Sequence, residues 1–482
     1  MSVDRNRMIR TGVRLGVALA VGVVAVGVVG AAAVVDWPEH RAEPRSVVVA
    51  PDEAVQQRVC PGPLLSIGGD PEAATAVASF GSASIVTAAV PDGAELGTEP
   101  LAAPENSRAG EDGSPVVVDA QPGAADPGMI AGSQSQTAET EVLGGFAAAA
   151  CTEATAESWL VAGATTVGRS SLVLLANPTD VAATVDVRVS GESGPVEARS
   201  ALGITVAPRT QRVLSLAGLA PNLASPVVHV TSTGGAIAAS LEQSAIAGLA
   251  PAGIELTGPT APPGLSQVIP GVVIGGAGGV STDEDHAEGD AFPAVRLHAP
   301  GDDPVKVTVG VTPVDGGAGD SFDVDLQPGT VVDVPLGELS AGTYTVRVEA
   351  DGPVVAAARA TIGSAESATD AAAPADLAWF VAAQPLPDSA VAAVASGPSA
   401  TLHLAGDENG STEASVTIDG RLTSVEVPAQ GAVSVPIRGR VVVLDGVEGV
   451  SAAVTYRSDS ALAAFAVQAP GPLDSPIRVY PR

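Results

Sequence analysis

Five histidines, two cysteines and one dense acidic stretch are the residues of this chain most able to do chemistry. No two histidines are four residues apart, and none lies in a His-Glu-x-x-His zinc pattern. His229, His298 and His403 lie in strand-like sequence, where we expect hydrogen-bonded or surface histidines. Lys306 is the only lysine and follows Asp303 by three residues, which excludes a Ser-x-x-Lys acylation site. We therefore expect no enzymatic activity, no catalytic residues and no cofactor.

The acidic stretch covers residues 283–290. Hard cations such as Ca²⁺ prefer carboxylate oxygens, so a cation site is one interpretation. However, Ala287 and Glu288 stand where an EF-hand loop needs its turn glycine. Because runs of like charge are usually solvated, we expect a loop insertion here and assign no metal ligands.

The only cysteines are Cys60 and Cys151, and an even number in an exported chain favours a disulfide over two free thiols. Neither cysteine has a second Cys or His at metal-ligand spacing, so a metal site is not expected. Residues 92–140, between them, are rich in Gly, Pro, Glu and Ser. Such a composition buries little apolar surface. We expect a β-rich module over residues 45–155 that carries a long flexible loop over about 92–140.

An uncharged segment at residues 15–35 is long enough to cross a bilayer as a helix. Four arginines precede it within residues 1–14, which predicts a cytoplasmic basic tail and an extracytoplasmic remainder. The alternative is a signal peptide cleaved near Ala31–Ala33, in which case the protein is secreted. Both interpretations place the rest of the chain outside the cell membrane.

The remainder of the chain shows a repeated pattern. Trp159 and Trp379 each begin a similar apolar run at an offset of 220, and other anchors keep that offset. Alternating stretches such as Thr184–Val189 predict strands with one buried face, and turn signals recur between them. This is the pattern of immunoglobulin-like sandwiches. We therefore expect a mainly β chain with three β-sandwich repeats, at residues 156–262, 266–365 and 376–482.

Composition limits the function further. The net charge of −31 argues against nucleic-acid binding, because phosphates need a basic surface. Hydrophobic residues make up 46% of the chain, which is ample for packed cores. Aromatic residues make up only 2%, so few rings are available to stack on sugars.

A resemblance emerges from these features together. The arginine-rich start, the apolar span, the Cys60–Pro63 stretch, Cys151 and the Trp159–Gly163 run resemble a family of actinobacterial envelope proteins. Its members are single-pass, secreted or membrane-anchored, β-rich proteins of unknown function. The resemblance implies a place in the cell envelope and a connection with envelope glycans, because genes of this family tend to lie near envelope glycosyltransferases.

These observations predict a non-enzymatic, membrane-tethered extracytoplasmic protein that presents β-sandwich domains for interaction or scaffolding, linked to envelope glycan assembly. Its expected partners are the membrane, through the N-terminal helix, and an envelope protein or glycan. The alternative is an accessory glycan-binding or glycan-processing enzyme whose carboxylates assemble only in the fold. A cleft with two carboxyl groups about 5–10 Å apart and aromatic walls would favour that alternative.

Overall fold

The structure is a computed structural model of the full chain. Two compact units are present, a small one formed by the chain ends and a large one over Pro51–Ser475. The small unit contains two antiparallel strands, β1 (Val47–Val49) and β34 (Ile477–Val479). The structure describes residues 47–49, 54–67, 77–275, 292–363, 375–470 and 477–479.

Two predicted features lie outside the described residues. They are the basic tail with the apolar segment, at residues 1–14 and 15–35, and the acidic stretch at 283–290. Within the part of the chain that is described, no helix is both long enough and apolar enough to span a bilayer.

The prediction of a mainly β chain is confirmed, because the described helices are single turns. The large unit contains four segments of similar strand order, which we call modules 1 to 4. Module 1 covers residues 56–150 and includes helix α1 (Ala109–Asp112). Its strands are β2 (Gln56–Cys60), β3 (Leu65–Ile67), β4 (Val77–Ser79), β5 (Ser84–Ala89), β6 (Gly97–Pro100), β7 (Val116–Ala120), β8 (Ile130–Glu139) and β9 (Gly144–Ala150).

Module 2 covers residues 157–257 and includes a 3-10 turn, Arg199–Ala201, and helix α2 (Leu216–Leu219). Its strands are β10 (Glu157–Leu160), β11 (Arg169–Asn177), β12 (Ala183–Gly191), β13 (Gly194–Val196), β14 (Ile204–Val206), β15 (Thr210–Ser215), β16 (Val227–Thr233), β17 (Ala238–Ala247) and β18 (Ala250–Thr257).

Modules 3 and 4 cover residues 264–381 and 389–466. The strands of module 3 are β19 (Gly264–Ile274), β20 (Ala294–His298), β21 (Val305–Pro313), β22 (Asp320–Leu326), β23 (Val331–Pro335), β24 (Gly342–Ile362) and β25 (Asp376–Val381). The strands of module 4 are β26 (Ser389–Ala393), β27 (Ala400–Ala405), β28 (Thr412–Ile418), β29 (Arg421–Val427), β30 (Ala432–Pro436), β31 (Val441–Asp445), β32 (Ser451–Arg457) and β33 (Leu462–Ala466).

The four modules share one antiparallel topology. One sheet begins β2–β7–β6 in module 1, and its counterparts begin β10–β16–β12, β19–β24–β21 and β26–β31–β28. The other sheet contains β5–β8–β9, with counterparts β11–β17–β18, β20–β24–β25 and β27–β32–β33. Strand β24 serves both sheets of module 3, pairing with β19 and β21 in its first half and with β20 and β25 in its second. Module 1 therefore has the same strand order as the three segments that follow it.

The two tryptophan-led strands do not occupy equivalent places. Trp159 lies in β10, the first strand of module 2, whereas Trp379 lies in β25, the last strand of module 3. The alignment of Trp159 with Trp379 is therefore wrong, and β25 lies in the sheet of the preceding module. In both strands a buried tryptophan is followed by a buried apolar residue, so their sequences look alike although their positions differ.

The prediction of a flexible loop over residues 92–140 is also wrong. This region contains β6, α1, β7 and most of β8, and β7 is the central strand of its sheet. Several polar side chains of β8 are buried, and Gln134 shows how they are paired. Gln134 accepts a hydrogen bond from the Gly62 N–H at 2.9 Å and donates one to the Gly62 carbonyl at 2.6 Å. Buried polar groups that are paired in this way do not prevent folding.

The last strands of the modules, β9, β18, β25 and β33, form the centre of the large unit. We call them the ring strands, because β9 contacts β18, β18 contacts β25, β25 contacts β33, and β33 contacts β9. Each ring strand also packs in the core of the module before it. Trp379 lies in the core of module 2, Leu462 in that of module 3 and Phe146 in that of module 4. Ile254 packs with Ala147 of module 1, which completes the cycle.

Candidate functional site

At one end of the ring, four backbone N–H groups point at a single carboxylate. Oδ1 of Asp376 accepts hydrogen bonds from Ile254 at 3.2 Å and Leu377 at 3.0 Å. Oδ2 accepts them from Phe146 at 2.8 Å and Leu462 at 3.0 Å. The four donors lie on the four ring strands. Asp376 therefore joins all four modules at one point, and an ionised carboxylate suits this role because it only accepts.

Two glycines leave room for this carboxylate. Gly145 and Gly253 have φ angles of +132° and +124°, where side chains other than hydrogen are strained. A Cβ atom on Gly145 would collide with Oδ1 of Asp376. A Cβ atom on Gly253 would lie 2.7 Å from the backbone nitrogen of Leu377. The close approach of the ring strands at Asp376 therefore requires glycine at both positions.

A second acid, Glu255, is fully buried near Asp376, and neither of its oxygens has a hydrogen-bond partner of good geometry among the described residues. Burial and the charge of Asp376 raise the pKa of Glu255 well above its usual value. Burial also raises the pKa of Asp376, to about 7, but the four N–H donors favour its ionised form. We therefore assign the negative charge to Asp376 and the proton to Glu255.

At the other end of the ring, the segments that follow the ring strands surround a cavity of about 310 Å³. We call it the axial cavity. Cavities of roughly 300–1,000 Å³ hold small ligands, and they are common where several domains meet. All four modules contribute to this one through the ends of their last strands or the segments after them. Its walls are formed by Thr152, Glu153, Thr155, Glu157, Ser158, Trp159, Pro259, Thr260, Ala261, Pro262, Pro263, Ala382, Gln384, Ala466, Val467, Gln468, Ala469 and Pro470.

The predicted disulfide between Cys60 and Cys151 is confirmed, and it holds one wall of this cavity. Cys151 follows β9 directly and precedes Thr152, which lines the cavity. The backbone of Thr152 exchanges two hydrogen bonds with Val59, at 2.8 and 3.0 Å. The covalent bond and this bridge together fix the segment after β9 against β2.

Glu157 is held at the cavity wall by two neighbouring side chains. Its Oε1 atom lies 2.8 Å from Nε2 of His229 and accepts a hydrogen bond from Trp159 Nε1 at 3.3 Å. The rings of Trp159 and His229 are stacked, with centroids 3.9 Å apart, because the two residues are directly opposite each other in β10 and β16. Burial lowers the pKa of His229, which favours the neutral form of its ring.

Of the described residues that line the cavity, two are carboxylates, Glu153 and Glu157, and none is Lys, Arg or His. Glu153 forms an ion pair with Arg58 at 3.5 Å, and Arg58 is buried behind the wall. The carboxylate of Glu157 is 59% exposed, and the one ion-pair contact it could make among the described residues is with His229, whose neutral form burial favours. The cavity therefore has an acidic wall, with hydroxyl and amide groups around it.

The other strand histidines are structural. His403 is buried, with Nδ1 2.8 Å from the Ser434 hydroxyl and Nε2 2.8 Å from the Thr455 hydroxyl, and burial lowers the pKa of His403 to about 4. His298 Nδ1 lies 3.0 Å from the Thr330 carbonyl oxygen. Within the described ranges, no group of three or more His, Cys, Asp or Glu side chains is placed to hold a metal ion.

Sequence reasoning missed the residues of the axial cavity. Trp159 served only as a repeat marker, and Glu157 and Gln468 were not singled out. The signal was present in a weak form, since a short polar or proline-containing segment follows each ring strand. Recognising it requires knowing that the four strands end at the same place.

Comparison with known proteins adds a family but no function. The sequence profile of the family of unknown function DUF5719 matches residues 106–443. No curated protein matches the chain. A solved structure titled "Crystal Structure of Thermotoga maritima 1070" is 13% identical and covers 24% of this chain and 90% of its own, with a TM-score of 0.18.

A second solved structure is titled "Ca2+-stabilized adhesin helps an Antarctic bacterium reach out and bind ice". It is 13% identical, and the match covers 88% of this chain and 99% of that one, with a TM-score of 0.11. Both scores are too low to carry an argument about this protein.

Proposed function

Because the chain belongs to the DUF5719 family, whose function is unknown, we propose its function from the site: it is a non-catalytic binding platform that holds a small ligand in the axial cavity. The observation that carries this proposal is the convergence of all four modules on one cavity of about 310 Å³. A site walled by four modules that share their cores is preformed, which reduces the entropy cost of binding.

We further propose that this platform stands outside the cell membrane, tethered by residues 15–35, and serves the cell envelope as an interaction or scaffolding protein. The sequence supports the tether through the uncharged span and the arginines before it. The disulfide supports an oxidising compartment. The shared topology supports descent of modules 2, 3 and 4 from one immunoglobulin-like sandwich repeat.

The binding proposal can be tested with the purified full chain in a mild detergent. The protein is incubated with a small-molecule and oligosaccharide extract of the cell envelope, separated by gel filtration, and analysed by mass spectrometry for retained compounds. Ala469→Trp and Pro262→Trp place a bulky ring in the cavity from two different walls. The control is Val167→Trp, at a position that is 97% exposed.

We expect at least one compound to be retained by the natural protein and by Val167→Trp, and to be lost from both cavity variants. Retention that is equal in all four proteins, or no retention at all, would contradict the proposal. If the protein chemically converts a retained oligosaccharide, and Glu157→Gln abolishes that conversion, the alternative function of glycan processing would be favoured over simple binding.

A further inference from the structure

We propose that the ligand of the axial cavity carries a primary ammonium group and that Glu157 is its counter-ion. This inference rests on the proposed binding function and names its ligand class. Glu157 is more exposed than Glu153 and lacks a cationic side chain to neutralise it among the described residues.

The charge balance of the cavity wall supports a cation. Among the described residues, the lining of the cavity contains two carboxylates and no basic side chain, and Arg58 forms an ion pair with Glu153. An anionic ligand would therefore meet an uncompensated negative charge, which like-charge repulsion disfavours. A neutral ligand would gain no charge-assisted contact with Glu157.

The geometry of Glu157 supports the same conclusion. Both contacts of its carboxylate, with His229 and Trp159, end on Oε1. These contacts hold the side chain in place, and Oε2 accepts no hydrogen bond from the part of the chain that is described. A carboxylate fixed through one oxygen presents the other to a donor at little entropic cost.

The polar residues of the cavity wall are suited to an ammonium group, which has three donors and no acceptor. The side-chain amides of Gln384 and Gln468 and the hydroxyl of Thr155 line the same cavity and can accept hydrogen bonds. Pro259 and Trp159 add apolar wall against which a short carbon chain or a sugar ring can pack.

The test is calorimetric titration of the full chain with matched probes. Cadaverine, a flexible diamine, is compared with 1,5-pentanediol, and glucosamine is compared with N-acetylglucosamine. In each pair the first probe carries ammonium and the second does not, and the two pairs distinguish an alkyl from an amino-sugar source. The variants are Glu157→Gln, the cavity-blocking Ala469→Trp, and Glu197→Gln, an exposed acid of the same module outside the cavity.

We expect at least one ammonium probe to bind about tenfold more tightly than its neutral partner. Glu157→Gln should weaken that probe about tenfold and leave the neutral probe unchanged, while Glu197→Gln has no effect. Ala469→Trp should abolish binding of both. An unfolding temperature of Glu157→Gln equal to that of the natural protein would show that the variant is still folded.

Equal affinity for charged and neutral probes, with no effect of Glu157→Gln, would overturn the ammonium inference and leave the binding proposal standing. Absence of binding by every probe up to about 10 mM would also overturn it, and the envelope extract would then decide separately whether the cavity binds anything.

Discussion

The carboxylate of Asp376 accepts a hydrogen bond from the backbone N–H of Leu462 at 3.0 Å, across 86 residues of chain and between modules 3 and 4. Three further N–H groups complete the same nest, one from each of the other ring strands. Asp376 is fully buried, so these bonds form in a medium of low polarity, where a charge without partners would be very costly. Asp376 therefore links the four modules at their junction.

Substitution of this residue gives the first prediction. Asp376→Asn should lower the free energy of unfolding by about 3 kcal/mol or more. The NH2 group of asparagine cannot accept hydrogen bonds, so the buried backbone N–H groups that face it lose their acceptor. The measurement is the urea midpoint of the full chain. The control Asp459→Asn changes an exposed acid of module 4 and should leave the midpoint unchanged. An unaltered midpoint for Asp376→Asn would show that the nest does not hold the modules together.

A second prediction concerns pH. Both oxygens of Glu242 accept the Leu65 N–H, at 3.0 and 3.1 Å, and burial raises the pKa of Glu242 to about 8. An unfolded chain ionises this carboxyl near pH 4.5, so between that pH and about 8 the folded chain holds the extra proton. The free energy of unfolding should therefore fall as pH rises through this range.

Glu242→Gln should have a higher free energy of unfolding than the natural protein, because glutamine keeps an acceptor and does not ionise. This difference should grow by about 2 kcal/mol between about pH 6.5 and 8.5. Denaturant unfolding at the two pH values measures it, and Glu338→Gln, at an exposed position, should show no such trend. A gain that does not vary with pH would mean that Glu242 ionises at an ordinary pKa in the folded protein.

The sequence was sufficient for features that depend on local pattern. Alternation such as that of Thr184–Val189 predicted strands, and that range lies within β12. The pairing of Cys60 with Cys151 followed from there being only two cysteines in a chain that the sequence predicts to be exported. Neither inference needed knowledge of distant contacts.

The features that could not be predicted from the sequence depend on contacts between distant segments. Nothing local distinguishes Asp376 among 54 acidic residues, since its donors come from strands in four modules. The polar sequence of β8 suggested a loop, because the burial of Gln134 is possible only when Gly62 is placed beside it. The axial cavity was missed for the same reason: its walls are up to 318 residues apart, from Thr152 to Pro470.

A third prediction concerns the disulfide, which joins residues 91 positions apart. In the chain-entropy model, a loop of that length contributes about 4–5 kcal/mol. Reduction with dithiothreitol should lower the urea midpoint correspondingly. The double variant Cys60→Ala/Cys151→Ala should have the low midpoint of the reduced protein, whether or not reductant is present. A midpoint that is the same in the oxidised, reduced and double-variant proteins would show that the bond adds nothing to stability.

The central claim is that the four modules form one body around the ring strands, since each ring strand packs in two cores. Differential scanning calorimetry of the full chain tests it most directly. Shared cores predict one cooperative transition for the large unit, with equal calorimetric and van't Hoff enthalpies. Two or more resolved transitions, each matching the unfolding of a separate module, would contradict the account.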